Sequence, residues 1–255
     1  MTTNTAPLRV SDSITRLLGV LHGGLPGHGW GLVGRGTAGE AFRWSPGDGE
    51  IWPARLVQEL SYDTPPDVQL CPATLDAHGS SPVATRCVWA EIAQPPVFDK
   101  RGWYIPEAVI AEARARLEAF PLPASLVLDQ AWSWWVAWLL DSPAALSSAP
   151  TRRRVELLQR AIAERVGGRV DDEITVTPTR CVRTPGQAVA TETQHAWSLT
   201  RRVLRVPGSR NHERGSSGMP RRGGAPVRLL HLDESRYKLE IIETALANGA
   251  KKGKR

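Results

Sequence analysis

Ala124 to Leu140 is the most apolar segment of the chain, and it breaks at Gln130 into two runs that suit adjacent strands. Alternation from there puts Trp132, Trp134, Val136 and Trp138 on one side and Ser133, Trp135, Ala137 and Leu139 on the other. Amphipathic helices are expected on either side of this pair in sequence. Pro106 to Phe120 opens on a proline and lines Val109, Ala113, Leu117 and Phe120 along one face. Thr151 to Val166 is closed by Gly167-Gly168. Ser11 to Leu21, with Ile14, Leu17, Leu18 and Leu21 at helical spacing, reads as a first helix, and Trp52 to Leu60 as a short one with Pro53 at N1.

Strands are expected at Trp30–Val33, Ala41–Trp44, Asp67–Thr74 and Thr85–Ile92, with a turn at Ala77–Ser81 between the last two. Gly29-x-Gly31-x-x-Gly34 has the spacing of a dinucleotide loop, but no apolar strand precedes it and Gly36 to Gly39 opens no helix. Its glycines are therefore assigned to turns around the first strand pair. Three scattered cysteines, Cys71, Cys87 and Cys181, support neither a disulfide framework nor a zinc site, which suits a reducing cytoplasm. The six histidines show no ligand spacing, and no metal site is expected from them. No apolar run approaches the roughly 18 residues of a membrane span, so no membrane association is expected.

Charge is unevenly placed. Residues 151–255 carry +11 of an overall +6, which leaves −5 for residues 1–150. Between positions 201 and 228 eight arginines stand against one acid, Glu213, with no lysine. Arginine forks suit phosphates and base edges better than ammonium groups do, so this stretch points to DNA or RNA. Within it, Val203 to Val206 reads as a short strand leading into a Pro207-Gly208-Ser209 turn, beside Asn211 and His212. The nucleic-acid-binding candidates are Arg201, Arg202, Arg205, Arg210, Asn211, His212, Arg214, Arg221 and Arg222.

The order of residues here resembles one family. Leu204-Arg205-Val206-Pro207-Gly208-Ser209-x-Asn211-His212 is similar to the "LRxPGTxNxK" segment of archaeo-eukaryotic-type primases, the primase-polymerases of plasmids, phages and integrated elements. Ala225-Pro226-Val227-Arg228-Leu229-Leu230 and Tyr237-Lys238-Leu239-Glu240-Ile241-Ile242-Glu243 follow in the family's order, as "PVRLL" and a "YTLEELE"-like helix. The resemblance spans residues 11–247 and is strongest at 122–143 and 201–243. It implies an α+β fold: an RRM-like palm of the primase-polymerase type with an N-terminal α/β extension. Residues 1–10 are then a flexible tail, 169–197 an inserted hairpin and 248–255 a basic disordered tail.

The family's three catalytic motifs fall on altered residues. The paired acids of the first correspond to Glu91 and Ala93, of which only Glu91 can bind a cation. The histidine of the second corresponds to Trp135, and its serine to Gln130. The acid of the third falls near Ser198, where Ala196 to Arg202 holds no carboxylate. A single carboxylate binds magnesium poorly, so the expectation is lost catalysis and no cofactor. Magnesium or manganese enters only if Glu91, Asp129 and a further acid form a divergent site. The leading reading is a polynucleotide-binding, catalytically defective member acting beside a helicase, an active primase or other subunits of a replication, mobile-element or defence complex. An active primase-polymerase and a protein scaffold using the tryptophan-rich strand are the alternatives.

Overall fold

The computed structural model describes residues 10–35, 38–46, 56, 58, 60–61, 67–79, 81–94, 97–100, 102–168, 204–211 and 225–252. Four helices are drawn from them: α1 (Val10–His22), α2 (Glu107–Glu118), α3 (Ala149–Val166) and α4 (Leu239–Lys252). The strands in chain order are β1 (Gly29–Arg35), β2 (Ala38–Trp44), β3 (Asp67–Leu70), β4 (Ala73–Leu75), β5 (Pro82–Ala93), β6 (Val97–Asp99) and β7 (Gly102–Tyr104). After α2 come β8 (Leu126–Asp129) and β9 (Ser133–Ala145). The remainder are β10 (Leu204–Arg205), β11 (Arg210–Asn211), β12 (Ala225–Pro226), β13 (Arg228–Leu232) and β14 (Arg236–Tyr237).

The centre is a six-stranded sheet in the order β13-β8-β9-β5-β4, with β14 joining the far part of β9 in parallel. Both faces of β9 are covered from Ser133 to Leu140, so its alternation there separates two cores instead of a core from solvent. Trp134, Val136, Trp138 and Leu140 join Val88, Ala90 and Ile92 under Val155, Leu158, Ile162 and Val166 of α3, together with Ala113 of α2 and Ile242 of α4. Trp135, Ala137 and Leu139 join Cys87 and Trp89 on the opposite face, against Ile14, Leu17 and Leu21 of α1 and Val68, Leu70, Leu204 and Val206. That second layer contains a four-stranded sheet, β10-β3-β1-β2. The arrangement is the expected palm, helices on one face, with an N-terminal α/β extension packed on the other.

Several boundaries differ from the sequence reading. The expected strand Asp67–Thr74 is two strands in different sheets, because Pro72 carries no N–H to continue a ladder. Pro106 caps α2 from outside at φ −60° and ψ 141°, one position earlier than N1. The tail expected at 248–255 is helical as far as Lys252, although Asn248 and Gly249 are poor helix formers. At the other end α1 opens at Val10, inside the expected N-terminal tail. Residues 56, 58 and 60 are helical, as expected of 52–60. The expected hairpin at 169–197 lies outside the described residues.

Gly29-x-Gly31 proves to be a property of a strand and not of a turn. Gly29 and Gly31 pair directly with Trp44 and Phe42 of β2, and a Cβ on either glycine would meet its partner's ring. At the end of α3, Gly167 takes the left-handed conformation at φ 66°. The next residue must also be small, since a Cβ on Gly168 would lie 2.6 Å from the carbonyl oxygen of Glu91. Thus the helix end that covers one face of β5 sits against the backbone of the residue whose side chain leaves from the other.

Candidate functional site

Cross-strand register decides which side chains can cooperate, because directly opposed residues share a face. Glu91 stands opposite Trp135, and Trp135 opposite Leu128; Ala93 stands opposite Ser133. The positions assigned to the paired acids and to the histidine are therefore brought together on neighbouring strands. Glu91 is half-buried and Ala93 exposed. Trp135 is 1% exposed and stacks on Trp89, centroids 6.2 Å apart and planes inclined by 27°. Its indole N–H is buried without a hydrogen-bond partner. An indole packed in this way fills the space beside Glu91 with apolar surface.

Asp129 does not rescue the acid count. It pairs with Trp134, which pairs with Ile92, so Asp129 projects from the opposite face to Glu91. One of its carboxylate oxygens accepts the Ala131 N–H at 2.9 Å and braces a turn in which Ala131 holds φ 76°. The residues around Glu91 on its own face (Trp89, Ala93, Leu128, Ser133, Trp135, Ala137) carry no carboxylate. Among the described residues no three His, Cys, Asp or Glu side chains gather within reach of one metal ion. Among the described residues, the donors around Glu91 do not fit the divalent cation that the resemblance implies. Cys87, in the same sheet, is no nucleophile: burial pushes its thiol up to about 12, so it stays protonated.

The Pro207-Gly208 turn has the geometry its residues demand. The Ser209 N–H donates to the Val206 carbonyl at 3.0 Å, and Gly208 holds φ 88° after Pro207, as a type II turn requires. It is pinned on both sides: Val206 N–H donates to Val68 at 2.9 Å, Gly208 N–H to Val227 at 3.0 Å, and Val227 N–H back to Ser209 at 2.9 Å. Leu204, Val206 and Ser209 are buried. The segment is thus a fixed base from which the arginine-rich stretch departs.

Arg205 has a partner inside the fold. It is 7% exposed, and its Nε donates to both carboxylate oxygens of Asp67, at 3.1 and 3.3 Å. Gln69 donates to the same carboxylate at 3.1 Å, and the Arg205 backbone N–H reaches Oε1 of Gln130 at 3.3 Å. A guanidinium held against a carboxylate in a buried setting ties β10 to β3. Sequence reading placed Asp67 on a strand but missed the pairing, which joins residues 138 positions apart. Arg210 is half-buried on β11, and Asn211 completes that strand opposite Ala225. Ser198, Arg201, Arg202, His212, Arg214, Arg221 and Arg222 lie outside the described residues.

No protein-family model and no curated protein matches the sequence. Among solved structures, the AEP domain of the primase-polymerase of cyanophage S-2L aligns with a TM-score of 0.53 and 13% identity, over 92% of this chain and 97% of that one. The chain has the archaeo-eukaryotic primase fold. Primase RepB' gives a TM-score of 0.49 at 10% identity, over 96% of this chain and 63% of that one. The RepB' catalytic domain in complex with initiator DNA gives 0.48 at 11%, over 96% and 95%. On the primase fold, Glu91, Ala93 and Trp135 form one neighbourhood of the palm, and the pinned turn at Pro207-Gly208 forms the root of the basic stretch.

Proposed function

We propose that this primase-fold protein binds a polynucleotide without carrying out nucleotidyl transfer, as an accessory subunit to a partner that does. The single observation behind the loss of catalysis is the pairing of Glu91 with Trp135, beside Ala93. Two-metal chemistry needs several carboxylates converging on one side of the sheet. Here one acid faces an indole that takes the room a triphosphate would need, and Asp129 lies across the sheet. The net charge of +7 over residues 201–228 supports the binding half of the reading. Helicases and active primases are the partner classes the reading favours.

The test pairs two assays on the full chain. Primer synthesis on a single-stranded template with magnesium or manganese is expected to give no product. Incorporation that disappears in Glu91→Ala would overturn the loss of catalysis. Filter binding of a single-stranded oligonucleotide across a salt series is expected to give a steep log–log slope. Replacing Arg214, Arg221 and Arg222 together by alanine lowers that slope by about 2, at roughly 0.7 per phosphate contact. Absence of salt-dependent affinity in the wild type would leave the scaffold alternative standing and sink the binding reading.

A further inference from the structure

The hairpin of β6 and β7 stands apart from both large sheets: its strands pair with each other and with no other strand among the described residues. Val97 and Tyr104 are directly opposed on it and are 40% and 46% exposed. Among the described residues, Tyr104 makes no hydrogen bond and no ring contact. An isolated two-stranded ribbon is marginal in water, and an open Tyr–Val pair on it does nothing to help unless covered. Lys100 is exposed in its turn, with Arg101 next in sequence.

The hairpin is rooted at the candidate site. It leaves β5 just after Ala93 and Gln94, and the Gln94 N–H donates to the Trp132 carbonyl at 2.7 Å, at the open end of β9. The size and charge of the exposed face select its occupant. One ring beside one valine is far too small for a stable protein interface, which takes roughly 800 Å² from each partner. Protein interfaces also deplete lysine at their centre. A nucleobase presents one flat π-face, and the phosphate attached to it suits the exposed Lys100 ammonium.

We infer that the Tyr104 face of this hairpin is a stacking platform for an unpaired base of a single-stranded polynucleotide, with the exposed Lys100 taking an adjoining phosphate. This rests on the polynucleotide-binding reading above and adds where, and by what contact, the strand is held. The probe is a single-stranded DNA oligonucleotide carrying 2-aminopurine, followed by fluorescence and by anisotropy. Binding to wild type should quench the fluorophore. Tyr104→Ala should weaken affinity by about tenfold and abolish the quench, with an unchanged melting temperature because the ring is exposed. Tyr104→Trp should preserve both, and Lys100→Ala should lower the salt slope by about 0.7.

Binding by Tyr104→Ala within twofold of wild type would overturn the inference and leave the face open to a protein partner. Wild-type affinity in Tyr104→Leu would do the same, since it would show simple apolar contact. If Tyr104→Ala is silent while the Arg214, Arg221, Arg222 variant still loses affinity, only the platform fails. If wild type does not bind at low salt, the parent reading fails with it.

Discussion

His22, the last residue of α1, is buried with Nε2 2.9 Å from the Cys71 carbonyl and its ring edge-on to Trp44, centroids 5.3 Å apart. Donation from Nε2 leaves Nδ1 buried without a partner, and burial lowers the pKa from 6.5 to about 4. The folded chain therefore keeps this ring neutral while the unfolded chain protonates it near 6.5. Stability is full above pH 6.5, falls as pH drops toward 4, and loses on the order of 3 kcal/mol at most over that window. Melting temperatures across pH 4–7 should decline in wild type, and His22→Gln should flatten this part of the profile. An identical decline in both would contradict the assignment. Arg205 is a second buried polar side chain with a partner inside the fold, its Nε donating to Asp67.

For strands and helices, glycine is informative only where something approaches it. In β1, a Cβ on Gly31 would lie 2.8 Å from the Gln69 carbonyl oxygen and from a methyl of Leu70, besides meeting the Phe42 ring. Backbone cannot retreat there without disturbing the β1–β3 pairing, so Gly31→Ala is expected to destabilise by about 1–3 kcal/mol. Gly19, inside α1, has nothing within 4 Å of its would-be Cβ. Gly19→Ala is therefore expected to stabilise by about 0.5–1 kcal/mol. Urea unfolding of the two variants should give midpoints that move in opposite directions. That Gly29-x-Gly31 is no dinucleotide loop was legible from the missing strand–loop–helix context. That aromatic rings of the neighbouring strand lie over those glycines needed the register.

Across the whole molecule, β9 belongs to two cores at once. Trp135 is buried with the N-terminal layer, and Trp138 on the helical side, where it meets Phe120 at 4.6 Å and donates its N–H to the Leu122 carbonyl at 3.0 Å. A strand shared in this way couples the layers, because neither can open without exposing one face of it. Trp135→Ala and Trp138→Ala are each expected to cost about 3–5 kcal/mol and to shift one common transition. Calorimetric and van't Hoff enthalpies should agree in wild type. A variant that splits the transition into two would show that the layers unfold separately. The same double burial constrains substitution: with Trp135 serving as core, an imidazole cannot be placed there without opening a cavity.

The chain's own order of residues determined what short stretches can encode. Alternation from Trp132 to Leu139, the apolar face of α1, the left-handed close of α3 and the Pro207-Gly208 turn each depend on residues within about a dozen positions. Those signals, with the motif order along the chain, were enough for the palm and its extension. Tertiary structure alone decided that Glu91 faces Trp135, that Asp129 lies on the far side, and that Arg205 is claimed by Asp67. The reason is physical: periodicity is written between chain neighbours, whereas register and burial are settled by packing residues brought from distant parts of the sequence, where a slip of one position reverses every side chain.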